Sequence, residues 1–407
     1  MQHNQLRFLF LNAGHFLDHY FMLIFATAAA LRLTTEWNLS YAELIPYATP
    51  GFIAFGICAF PAGWLADKWS REGMMLIFFI GIGLSSILTG MANSPQQIML
   101  SLTAIGVFAA IYHPVGLAMV VQGRTKTGIP LAVNGVFGNM GVASAALLTG
   151  FLIDTSGWRS AFVVSGAVSI CVGACYFFFT RTENRVEMDA KARVAATQKT
   201  ESFDLAKSTL LKIFSIILFT TAIGGLIFQS TTFALPRVFE ERLTHLADTA
   251  TLVGWYTFIV FSVAAFAQLV VGYLVDNYSV RVVFACVALL QAIFFTLMMQ
   301  LTGVAALVVA IAFMLAVFGQ IPINDVLVGR IVRSEWRSRA YGMRYVVTFS
   351  VMASTLPFIA WIHRTWGFSA LFGILAAAAL LIFAAVLLLP TIEKTGRVAS
   401  TKRSRVT

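Results

Sequence analysis

Gly63-Trp64-Leu65-Ala66-Asp67-Lys68-Trp69-Ser70-Arg71-Glu72-Gly73 is a short polar knot between two long apolar runs. It recurs in reduced form as Gly272-Tyr273-Leu274-Val275-Asp276-Asn277-Tyr278-Ser279-Val280-Arg281. The two glycines lie 209 residues apart, and so do the two aspartates. One such box at the end of an apolar helix carries little information. Two of them, half a chain apart, indicate an internal duplication.

The same offset returns elsewhere in the chain. Val107-Phe108 is matched by Val317-Phe318 and Gly157-Trp158 by Gly367-Phe368, each pair 210 residues apart, and Pro114 is matched by Pro322, 208 apart. Registers that agree within two residues over such lengths predict two equivalent halves.

The chain has 407 residues, of which 59% are hydrophobic and 11% charged, with a mean hydropathy of +0.83. A soluble domain carries about 25% charge, so most of this surface does not face water. Apolar runs of about 18 residues or more recur along the whole length, each able to cross a hydrocarbon core of about 30 Å. Strands of alternating polarity are absent, so the spans are predicted as helices with internally satisfied backbones. The reading is an all-α integral membrane protein of about twelve transmembrane helices in two six-helix halves. The first six spans are predicted near 6–31, 43–66, 74–93, 97–122, 129–153 and 158–180, and the others start near 210, 252, 282, 304, 341 and 369. Residues 1–180 form the first half and 209–390 the second. The charged stretch 181–208 is a linker and 391–407 a basic tail. A monomer in a lipid bilayer is expected.

The formal net charge is +10. In a soluble protein that would raise nucleic acid as a partner; here the positive-inside rule accounts for it, and no nucleic-acid partner is expected. With both termini inside, Arg32, Arg159, Arg237, Arg242 and Arg364 face outward and the other 23 of 28 Lys and Arg face inward. That bias predicts cytoplasmic termini in a bacterial inner (plasma) membrane. No cleavable signal peptide is evident, because the first apolar run is too long and lacks a small-residue cleavage site. Cys58, Cys171, Cys175 and Cys286 all lie in apolar runs and read as packing residues.

The pattern G-x-L-x-D-[RK]-x-x-R after the second span, echoed in the second half, resembles the signature loop of the major facilitator superfamily. The resemblance covers nearly the whole chain. It implies transport by alternating access and a central cavity lined by spans one, four, seven and ten. It also makes Gly63, Asp67 and Arg71, with Gly272, Asp276 and Arg281, a latch between helix ends that opens as the halves rock. A simple tight turn does not explain why the second box keeps the same spacing.

Ionisable groups at membrane depth are costly, about 2.5–3.5 kcal/mol for a carboxylate on insertion scales, and mark functional candidates. Span one reads Asn12-Ala13-Gly14-His15-Phe16-Leu17-Asp18-His19-Tyr20. Asn12, His15 and His19 share a helix face, and Asp18 borders it. Histidine exchanges protons near neutral pH, and a carboxylate one turn away offers it a partner. The group reads as a proton-coupling or substrate site, against a helix–helix hydrogen-bond cluster. His113 precedes Pro114 in span four. Proline interruptions at matching places in two halves point to a transporter's binding site, which brings in Asn324 and Asp325 beside Pro322. Gln229 and Thr232 in span seven offer hydrogen bonds to a substrate, although a threonine also bonds its own helix. Arg344 either reaches the cavity or snorkels to the inner surface.

His15 and His19 also have the i, i+4 spacing of a two-ligand metal site, which Asp18 and His113 would complete. A divalent transition-metal carrier is therefore the alternative. Copper-importing members of the superfamily carry Met-xxx-Met and His-xxx-Met pairs in spans seven and eight that this chain lacks. A narrower resemblance is to fosmidomycin-resistance-type exporters. It rests on the His15–Asp18 span, on Tyr112-His113-Pro114 and on Tyr341-Gly342-Met343-Arg344-Tyr345. It implies proton-coupled efflux of a small organic solute. A Gly-rich phosphate loop followed by Lys-Ser or Lys-Thr is absent, so an ion gradient is the expected energy source. No cofactor and no enzymatic activity are expected.

Overall fold

The computed structural model describes residues 3–122, 128–187, 207–331 and 334–389, without the side chains of 3, 128, 182–187, 207–210, 325, 328–331 and 334–345. Every long element among the described residues is helical. They are α1 (Asn4–Trp37), α2 (Tyr41–Lys68), α3 (Arg71–Gly90) and α4 (Pro95–Val121), then α5 (Gly128–Ser156), α6 (Trp158–Glu187), α7 (Lys207–Arg242), α8 (Ala250–Asn277), α9 (Val280–Met298) and α10 (Gly303–Ile331). The last stretch, Ser334–Leu387, is broken at Gly367, where φ is 73° and ψ −176°. It therefore comprises α11 (334–366) and α12 (368–387). Among the described residues eleven stretches are long and apolar enough to cross a membrane, and the break makes the last of them two spans.

Local sequence sets the boundaries. Ser40 and Glu43 form a reciprocal capping box at the start of α2. Ser70, Ser94 and Thr249 cap α3, α4 and α8 by accepting from the backbone N–H three residues on. Gly157 separates α5 from α6 with φ 82°, and Gly367 separates α11 from α12 with φ 73°. Both turns need a residue free of a Cβ penalty at positive φ. The aromatic residue after each, Trp158 or Phe368, is buried. The repeat noticed in sequence is thus a repeated turn.

Packing repeats with it. In the first half α1 lies along α5, α2 along α4 and α3 along α6; in the second α7 lies along α11, α8 along α10 and α9 along α12. The halves meet through the seams α5–α8 and α2–α11. Small residues set these approaches. A Cβ on Gly106 would overlap the carbonyl oxygen of Gly51 between α2 and α4, and one on Gly141 would overlap that of Phe16 between α1 and α5. In the α5–α8 seam, Gly150 lies against the Ala250 carbonyl and Gly254 against that of Ala146.

The face of the bundle opposite to the start of α1 is tied together across the halves. Asp154 accepts from the backbone N–H of Thr251 at 2.7 Å. Arg237 on α7 donates to the carbonyl of Ala30 at 3.3 Å, inside a π-helical turn, Ala29–Leu33, of α1. Tyr41, 1% exposed, sits between the Arg237 guanidinium, 5.7 Å from its ring centre, and the His363 ring at 5.5 Å. His363 in turn contacts Glu241 at 3.0 Å, and Glu241 accepts from Arg237 at 2.8 Å.

Candidate functional site

Three histidines from two helices converge in the first half. α1 supplies His15 and His19, and α4 supplies His113. Their ring centroids are 5.0 to 5.5 Å apart, and one nitrogen from each lies within 4.8 Å of the others. His113 is delivered by a π-helical turn, Tyr112–Gly116. Pro114 within it has no N–H to donate, which favours a local departure from α-helical bonding. Gly63 of the box on α2 packs against that proline: a Cβ there would stand 3.1 Å from the Pro114 Cβ.

Asp18 is fully buried. Sequence spacing made His15 its partner, and the structure corrects this. Asp18 Oδ2 lies 3.3 Å from His113 Nε2, while His15 turns toward α5 and donates from Nδ1 to the backbone carbonyl of Asn134 at 2.8 Å. A residue three places on along a helix is rotated to one side of the first, so Asp18 looks toward α4 and His15 toward α5. The His15 bond places the neutral ring's lone pair on Nε2. That nitrogen is buried and has no hydrogen-bond partner among the described residues, and neither has Asp18 Oδ1.

Two residues outside the sequence-derived set hold this arrangement. Asn134 donates to the Asn12 side-chain oxygen and to the Tyr112 hydroxyl, each at 2.9 Å. Tyr112 donates to the Leu11 carbonyl at 2.8 Å and stacks on His15 with centroids 4.9 Å apart. Asn12 is therefore bound into a helix-to-helix network. Gly138 leaves the space His15 fills, since a Cβ there would stand 2.7 Å from its Nε2. Tyr112 carries a hydroxyl beside His113, and Asn134 is an amide within an apolar span. Any polar group in an apolar span, ionisable or not, is such a signal, because burying it unpaired is costly.

In the second half, Thr232 donates to its own helix at Phe228. Gln229 is buried and its Nε2 has no hydrogen-bond partner among the described residues, and the Asn324 side chain lies 3.4 Å from the Thr220 hydroxyl. The side chains of Asp325 and Arg344 lie outside the described residues. At the boxes, Arg71 donates to Asp67 at 2.7 Å, bridging the end of α2 and the start of α3, with Asp67 67% exposed. Asp276 and Arg281 hold the matching places at the end of α8 and the start of α9. Among the described residues nothing stands within 4 Å of a Cβ placed on Gly272, where Gly63 has Pro114.

The sequence matches the model of the Major Facilitator Superfamily over residues 11–246 and 242–406. The puromycin resistance protein pur8 of Streptomyces alboniger is 31% identical over 121 residues, 29% of this chain and 24% of that protein. The gallate transporter of Pseudomonas putida is 26% identical over 142 residues, 34% of this chain and 32% of that one. The aligned segments thus span about a quarter to a third of these relatives. The crystal structure of a D-xylose-proton symporter superposes with a TM-score of 0.72 over 96% of this chain and 98% of that one, at 13% identity, a likeness of fold.

Proposed function

Because the chain belongs to the Major Facilitator Superfamily, we propose that it is a secondary active transporter that moves a small organic solute by alternating access, coupled to protons through Asp18, His15, His19 and His113. One observation carries the coupling: a fully buried carboxylate lies 3.3 Å from an imidazole, with two further imidazoles beside them. A proton entering this group changes its net charge inside a low-dielectric helix bundle, where charge is costly. The Asp18–His113 contact links α1 to α4, so protonation acts directly on how two cavity-lining helices pack. Gly63 against Pro114 carries any movement of that turn to α2 and its box. Gln229 and Asn324 on the facing half are substrate-binding candidates, and Asp325 and Arg344 remain so from sequence. The relatives' names speak of puromycin, gallate and D-xylose, which favours an organic cargo over a metal ion. Uptake or efflux of candidate solutes by proteoliposomes tests this reading. An imposed pH gradient drives accumulation if it is right and has no effect if it is wrong.

Residues 1–180 and 209–390 are the two bodies that rock, with both termini cytoplasmic. A single cysteine replacing Lys68, in a background without the four native cysteines, is expected to react with a membrane-impermeant thiol reagent only from the cytoplasmic side. One replacing Thr244 is expected to react only from the other side. Labelling of both from one side refutes the topology.

Asp67→Asn tests the box. The Asp67–Arg71 pair is exposed and joins two helix ends, so it adds only about 0.2–1 kcal/mol to stability. The variant is expected to fold with a nearly unchanged melting temperature and to keep substrate affinity, while its transport rate falls. Wild-type transport would reduce the box to a turn.

A further inference from the structure

We propose that His15, His19 and His113 form a binding site for one borderline-soft divalent metal ion of the Zn2+ class, held as an occupant rather than a cargo. The inference stands on the ligand geometry and is independent of the transport reading.

Two ligands one helical turn apart on α1 and a third from α4 give the three-histidine set of a tetrahedral site with an open fourth position. One nitrogen of each ring lies within 4.8 Å of one nitrogen of each of the others. Nitrogens bound at about 2.0–2.1 Å stand a little over 3 Å apart, so small side-chain rotations close the site. The rings are disposed for this. His113 meets His15 at 88° and His19 at 79°, edge to face, which a stack of three packed rings would not require.

The surroundings are those of metal-bound imidazoles. Such rings characteristically donate their second nitrogen to a carbonyl or pair it with a carboxylate, which fixes orientation and tautomer. His15 does the first with the Asn134 carbonyl at 2.8 Å, and His113 the second with Asp18 at 3.3 Å. His15 Nε2 is left buried without a hydrogen bond, a costly state for a ring acceptor that a metal ion would relieve. An all-imidazole set suits zinc, cobalt or nickel and serves magnesium or calcium poorly. The ion would pin α1 to α4 within one half.

The test uses tag-free purified protein, stripped with chelator and titrated with CoCl2. One equivalent of Co2+ is expected to develop the intense visible bands of tetrahedral coordination. ZnCl2 should displace them, and MgCl2 should not. His19→Gln and His113→Gln should each weaken binding by more than about tenfold, and Asp18→Asn by about 10–100-fold, as loss of an outer-shell partner does. Absence of the bands, or their persistence in His19→Gln, overturns the site. If the variants fail to fold, wild-type protein still decides. ZnCl2 should protect His15, His19 and His113 from diethyl pyrocarbonate but leave exposed His245 reactive. Equal modification with and without ZnCl2 overturns the site. Transport is measured in chelator, so loss of metal binding with proton-driven transport intact sinks this inference alone.

Discussion

Asp18→Asn is expected to reduce proton-driven accumulation to the level seen without a gradient, while substrate exchange between the two sides of the membrane continues. Asparagine keeps the shape of the side chain and its ability to hydrogen-bond His113, so the packing of α1 on α4 survives. What is lost is the ability to take and release a proton. Exchange needs no net proton movement and persists; accumulation needs proton movement in each cycle and stops. Asp18 is fully buried and its Oδ2 is 3.3 Å from His113 Nε2, so the two act as one unit. His113→Gln is expected to show the same loss, and the double variant little more than either single one, since coupled neighbours are not additive. His15→Ala is expected to shift the pH optimum of transport or abolish coupling, because His15 shares the cluster while bonding elsewhere. Wild-type accumulation by both Asp18→Asn and His15→Ala, with an unchanged pH profile, would make the cluster structural.

The outcome at Asp18 shows where reading the sequence stops. Periodicity places residues on a helix face but leaves open which neighbour that face meets. His15, Asp18 and His19 were legible as a costly group, and Pro114 marked the neighbourhood of His113. The pairing of Asp18 with His113 depends on the rotation of α1 against α4 and on the π-helical turn at Tyr112–Gly116, neither of which a single span encodes. The fold was more legible, because the duplication supplied a second copy of each signal. Gly157 and Gly367 were paired by their offset alone and proved to be the same positive-φ turn. The closure at the far face had no such signal. Tyr41, Arg237, Glu241 and His363 come from three separate helices, and Arg237 entered the sequence reading only as an outward-facing charge.

That closure leads to the second large effect, at Gly150. The α5–α8 seam joins the two halves, and at its far end Gly150 leaves no space for a Cβ against the Ala250 carbonyl. Gly150→Leu inserts a branched side chain where two backbones touch. Overpacking of this kind costs about 1–3 kcal/mol, but only in the conformation in which the seam is shut. Opening relieves it, so the substitution is expected to move a two-state equilibrium by about 5- to 150-fold toward the state open at the Thr244 face. Spin labels at Thr155 and Thr244, both exposed on that face and in opposite halves, report it. Their separation should lengthen as α5 and α8 part toward the spacing of about 8–10 Å usual for helices packed through ordinary side chains. Arg237 should then lose the Ala30 carbonyl, and Tyr41 its place between Arg237 and His363. Gly135→Ala on the same helix is the control. A Cβ there meets only Gln268, at 3.9 Å, so it tests the change in helix propensity without overpacking and should leave the separation unchanged. An unaltered distance in Gly150→Leu would mean that the seam yields locally and that α5 and α8 do not gate this face. Equal lengthening in both variants would trace the effect to helix propensity.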